Sequence, residues 1–155
     1  MRPENEKRFA MGKSDIIFND GEIKTVLMDS ISYVNDKNRC DIIVSGSHGG
    51  TSSAQYGINV KVGAAFFNDA GVGKNRSGII GLEKLQNLGI IAIAVDHKSA
   101  EIANAKDTYK NGTISFINER AENAGIKVGM KVKESVSILR SFLKTQLMTN
   151  GEKLI

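Results

Sequence analysis

At 155 residues, with 41% apolar and 25% charged residues, the chain has the length and mix of one globular domain with a real core. A formal charge of +4 on scattered lysines, six phenylalanines, three tyrosines and no tryptophan argue against a nucleic-acid surface, which needs massed cations and stacking rings. No apolar stretch has the length of a membrane span, the N-terminus lacks an apolar signal core, and a lone Cys40 allows no internal disulfide, so a cytoplasmic protein with no membrane partner is expected.

Residues 1–16 are polar and hold the only proline, Pro3. They are expected to be partly flexible, ahead of a single α/β domain over residues 17–150. Asn19-Asp20-Gly21 lies between apolar flanks and signals a hairpin turn. Residues 23–34 fit strand alternation and also a helical stripe through Ile23, Leu27, Ile31 and Val34. We read 24–28 as strand, with a short helix or turn after Asp29-Ser30.

Three continuous apolar runs follow, at 41–45, 62–69 and 89–97. Strands buried on both faces need such runs. Between the second and third, Ile79, Leu82, Leu85 and Leu88 recur at helical spacing and Gly89 closes the helix. That is a βαβ unit, with parallel strands and a right-handed crossover. A short helix is expected over 99–109, capped by Ser99, and another over 113–125, capped by Thr113 and stopped by Gly125. The last helix should run from near Met130 to about Met148, with Val132, Val136, Leu139, Leu143 and Leu147 as its buried stripe. Ile138 and Phe142 lie off that stripe, and we expect them to serve a homodimer or larger closed assembly. The fold expected is a three-layer α/β domain: a mainly parallel sheet, helices on both faces, and an antiparallel edge hairpin.

The three buried runs end in "SGSHGG", "NDAGVGKN" and "DHKS". In open α/β sheets the carboxyl edge of the strands is where ligands bind. It gathers Ser45, Ser47, His48, Asn68, Asp69, Lys74, Asp96, His97, Lys98 and Ser99, including both histidines of the chain. Gly46, Gly49, Gly50, Gly71 and Gly73 suit sharp turns and close approach to a ligand, and free N–H groups in such loops attract anions.

Known signatures fit incompletely. "GVGKN" lacks the leading glycine and the hydroxyl of a phosphate-binding Walker loop, and no G-x-G-x-x-G follows a strand. "SGSHG" approaches a nucleophile elbow centred on Ser47, with Ser45 in place of the first glycine. "HGG" instead resembles an oxyanion loop, with Gly49 and Gly50 donating N–H groups. The two assignments compete for one loop. His48, Asp69, Asp96 and His97 offer N and O ligands for a metal, but no metal motif spacing is present and no cofactor is specified.

The function expected is a small-molecule enzyme, hydrolase-like or lyase-like, acting on an anionic metabolite. Ser47 or a water is the nucleophile, His48 or His97 moves the proton, and Asp69 or Asp96 orients that histidine. Ser45, Gly46, Gly49, Gly50, Asn68, Gly71, Gly73, Lys74, Asp96 and Ser99 hold the ligand. The alternatives are a non-catalytic anion-binding or regulatory subunit and a structural subunit of a complex.

Overall fold

The computed structural model describes residues 14–154. Six strands form one sheet in the order β1-β2-β3-β4-β5-β6. They are β1 (Asp15–Asn19), β2 (Lys24–Met28), β3 (Ile42–His48), β4 (Ala64–Asn68), β5 (Ile91–Val95) and β6 (Ile114–Ile117). β2 to β5 run parallel, and β1 and β6 pair antiparallel at the two edges. The helices are α1 (Thr51–Val60), α2 (Gly81–Asn87), α3 (Ala105–Asn111), α4 (Glu119–Asn123) and α5 (Val132–Leu154).

Helices cover both faces, so this is a three-layer α/β domain with a mixed, mostly parallel sheet. Phe66 and Phe67 show why the strand runs are continuously apolar. Successive side chains point to opposite faces, and both rings are buried. Phe67 joins Ile43, Ala54, Leu82 and Leu85 beneath α1 and α2. Phe66 joins Val44, Ile93, Ala105, Ala121, Val136 and Leu139 beneath α3, α4 and α5. Each of these buried large side chains contributes about 1.5–3 kcal/mol.

The hairpin at Asn19-Asp20-Gly21 forms as expected: Asp20 accepts N–H bonds from Glu22 and Ile23 and turns β1 into β2. Residues 1–13 of the polar leading segment lie outside the described residues, while Asp15 and Ile16 belong to β1. The buried stripe of α5 is as expected, with Val132, Val136, Leu139 and Leu143 in the core and Leu147 packed against it.

Three expectations need correction. The strand read as 41–45 continues through Ser45, Gly46 and Ser47 to His48, with an irregular register against β4. Backbone partners carry it on: Gly46 N–H donates to Asp29 O, and Ala103 N–H donates to Gly46 O. The helix placed at 99–109 starts only at Ala105, because Asn104, not Ser99, accepts the capping bond from Asp107 N–H. The helix placed at 113–125 is β6 followed by α4, with Asn118 as the cap. Ile114, Phe116 and Ile117 are β-branched or aromatic, and pairing with β5 outweighs helix propensity there. Ile138 and Phe142 lie partly buried against the core of their own chain.

Candidate functional site

Three parallel strands end together. β3 ends on His48, β4 leads into Asp69, and β5 leads into Asp96 and His97. Asp69 is only 4% exposed. Its Oδ1 accepts from Gly71 N–H at 2.8 Å and from His97 N–H at 3.2 Å, and lies 3.0 Å from His97 Nδ1. Its Oδ2 accepts from the Ser115 hydroxyl on β6 at 2.7 Å. Burial pushes the carboxyl pKa upward, but the Gly71 N–H, the Ser115 hydroxyl and the two His97 donors outweigh it and hold the group below the ordinary carboxylate range. An ionised carboxylate only accepts, so Nδ1 of His97 carries a proton, and in the neutral ring Nε2 is left bare. The His97 side chain is 45% exposed, which leaves that nitrogen reachable from solvent.

Asp96 completes the cluster, with Oδ1 at 3.5 Å from His97 Nδ1. One ligand atom from each of Asp69, Asp96 and His97 falls within 4.8 Å of the others, a spacing that suits a metal ion. However, Oδ1 of Asp69 already serves three N–H donors, and a cation there would have to displace them.

The segment after β4 is bent sharply around this carboxylate. Ala70, Gly71, Val72 and Gly73 all have positive φ, at 51°, 74°, 70° and 74°. For alanine, and more so for a β-branched valine, that conformation is strained by about 1–3 kcal/mol. Asn68 Oδ1 accepts from Ala70 N–H, and Val72 N–H donates to Asp69 O, so the turn is held from both sides.

His48 belongs to different surroundings. Its Nδ1 accepts from Gly50 N–H at 3.1 Å, which places the neutral ring's proton on Nε2. It lines an open cleft of about 820 Å³ between α1 and α2, with Thr51, Tyr56, Ser77, Ile80 and Lys84 among the walls. It also lines a smaller cavity of about 230 Å³ with Ala70, Val72, Ser77, Gly78 and Ile102. His97 lines neither cavity. The two histidines therefore have distinct partners, and Asp69 stands with His97.

Several other expected site residues are tied into the scaffold. Ser45 donates its hydroxyl to Phe66 O, and Ser47 Oγ accepts from Ile31 N–H. Gly49 N–H donates to Gly78 O and Gly50 N–H to His48, so the N–H pair read as an oxyanion loop is already engaged. Gly46 is pressed against Ala103 and Asn104. Asn68 Nδ2 donates to Ala100 O, and Gly73 N–H donates to Gly71 O. Ser99 bridges Asp96 O and Thr113 N–H, while Lys74 is exposed on the turn after Gly73. Ser115, Tyr56 and Lys84 are the contributors that sequence reasoning missed. Ser115 lay inside a misread helix, and nothing in its neighbours signals a carboxylate 46 residues away.

No protein-family model, curated protein or solved structure matches this chain. The cluster of Asp69, Asp96 and His97 at the carboxyl edge of the sheet is thus identified by its own geometry as the candidate binding or catalytic site.

Proposed function

We propose that the chain is an enzyme acting on a small anionic molecule, with His97 as its general base and Asp69 as the group that orients it. The observation that carries this is the buried, ionised Asp69 carboxylate against His97 Nδ1. A carboxylate in that position fixes the tautomer, aims Nε2 outward and stabilises the imidazolium formed when Nε2 takes a proton. Ser115 and Gly71 hold the carboxylate so that it does not rotate away. The reaction class is hydrolysis or elimination, since both start with a base removing a proton, from water in one and from carbon in the other. Ser47 is a poor nucleophile here, because its oxygen is engaged with Ile31 N–H.

A non-catalytic anion-binding subunit is the second reading, favoured by the cleft beside the edge, whose walls include Lys84 and no carboxylate. Turnover separates the two. A panel of phosphate monoesters, carboxylates and amides is offered to the wild type and to His97→Gln. The base assignment requires at least one substrate to be turned over, and the variant to lose about 10²- to 10⁴-fold in kcat while its thermal unfolding is unchanged. A fully active variant would overturn it.

A further inference from the structure

We infer that the cleft between α1 and α2 is a binding site for a small oxyanion carrying a flat apolar body, an aryl phosphate or an aryl carboxylate. As the substrate pocket of the edge, this rests on the enzyme reading above; as a binding site, it stands by itself.

Charge sets the polarity of the ligand. The walls include the Lys84 ammonium and the His48 ring, and no aspartate or glutamate. Among the described residues no carboxylate lies within ion-pair distance of Lys84. Such a cleft favours an anion and repels a cation. The Asp69 and Asp96 carboxylates do the reverse, so the charged end of an anionic ligand belongs in the cleft and away from the cluster.

Donor direction agrees with charge. Because Gly50 N–H occupies Nδ1, His48 presents a hydrogen-bond donor at Nε2. Lys84, His48 and the Ser77 hydroxyl together supply donors that an oxygen of phosphate or carboxylate accepts. His97 has the opposite arrangement, with a bare Nε2. One histidine is thus suited to hold an anion and the other to remove a proton.

The apolar half of the ligand follows from Tyr56 and Ile80. They are 44% and 37% exposed, among the larger apolar side chains left in solvent, and both line this cleft. Tyr56 lies on α1 and Ile80 just before α2, so the walls come from separate elements and leave a slot that an aromatic ring fills. A volume of about 820 Å³ suits a ligand of that size. His48 also opens onto the smaller cavity lined by Ala70 and Val72, the neighbours of Gly71. A Cβ at Gly71 would stand 3.7 Å from the His97 ring, so the strained turn borders His97 as well as the cavity that His48 lines.

The test is a ¹⁵N NMR titration of the full chain with phenyl phosphate, phenylacetate, inorganic phosphate and benzyl alcohol. An aryl anion should shift the amides of 48–56 and 77–84 and bind about tenfold or more tighter than both inorganic phosphate and benzyl alcohol. The tighter of phenyl phosphate and phenylacetate identifies the oxyanion. Lys84→Gln should weaken aryl-anion binding about tenfold or more, Lys84→Arg should restore it, and Tyr56→Ala should weaken it as well. His97→Gln should bind as the wild type does, so that failure here is distinct from failure of the base assignment, which is read by turnover. Shifts located elsewhere, or equal affinity in wild type and Lys84→Gln, would overturn the inference.

Discussion

Asp69 Oδ1 lies 3.0 Å from Nδ1 of His97, while 3.1 Å separates Nδ1 of His48 from the Gly50 amide. The same ring atom donates in one histidine and accepts in the other. Imidazole ¹⁵N spectra of the neutral rings should therefore show His97 protonated on Nδ1 and His48 on Nε2. Asp69→Ala should remove the His97 preference and leave His48 unchanged. Two identical tautomers in the wild type would sink the base assignment.

Acid sensitivity follows from the same carboxylate. Asp69 titrates below its ordinary range in the folded chain, because its hydrogen bonds outweigh the upward pull of burial. A group with a depressed folded pKa adds stability above its unfolded value, about 3.9 for aspartate, and loses it as pH falls through the folded value. Urea unfolding of the wild type should weaken more steeply below about pH 4 than that of Asp69→Asn, which has no such proton to gain. Parallel curves would mean that the carboxylate is not held ionised by its neighbours.

Asn118 should be a stability position with no role in ligand binding. It is buried and uses both ends of its amide. Oδ1 accepts from Ala92 and Ala121 N–H groups, and Nδ2 donates to Leu82 and Ile90 carbonyls. It thereby joins α2, β5 and α4. Asn118→Ala strands buried polar groups and should lower unfolding free energy by about 3 kcal/mol. Asn118→Asp should also destabilise, since a carboxylate would face two carbonyl oxygens. Urea midpoints within error of wild type for both would contradict the network.

Two glycine-to-alanine changes should act in opposite directions. A Cβ at Gly46 would sit 2.4 Å from Asn104 N and 2.6 Å from Ala103 Cα, both backbone atoms that cannot swing aside. Gly46→Ala should destabilise by about 1–3 kcal/mol and loosen the 103–104 segment. Gly57 lies within α1, where a Cβ would meet Leu85 Cδ2 at 3.4 Å and Val62 Cγ2 at 3.5 Å, ordinary contacts. Gly57→Ala should gain about 0.5–1 kcal/mol from helix propensity. Thermal unfolding checks both signs.

Legibility in the sequence tracked burial. β4 and β5 were visible because strands covered on both faces are apolar at every position, as Ala64 to Phe67 and Ile91 to Val95 are. β6 was not, because three of its four residues are only half-covered and it runs directly into a helix with its own good cap. The carboxyl edge was also visible, since Asp69, Asp96 and His97 follow adjacent strands. Which histidine met which partner was not. That depends on the positive-φ turn at 70–73, which brings Gly71 N–H back to Asp69, and on the register of Ser115. Glycine content suggested a bend there, but Ala70 and Val72 are residues from which no left-handed backbone would be read. The end of β3 was hidden for the converse reason: Ser-Gly-Ser has loop composition, and the bonds from Asp29 and Ala103 that extend the strand come from distant segments.

The order β1-β2-β3-β4-β5-β6 has a kinetic meaning. No strand is inserted between two that already pair, as doubly wound sheets with a central first strand require. Each newly synthesised strand adds to an open edge left by the one before, so the sheet grows in the direction of translation. Loop closure is paid in short instalments, which favours fast folding for a mostly parallel sheet. The candidate site matures late on this path. Asp69 emerges before either of its side-chain partners, and its Oδ2 waits for β6 to deliver the Ser115 hydroxyl.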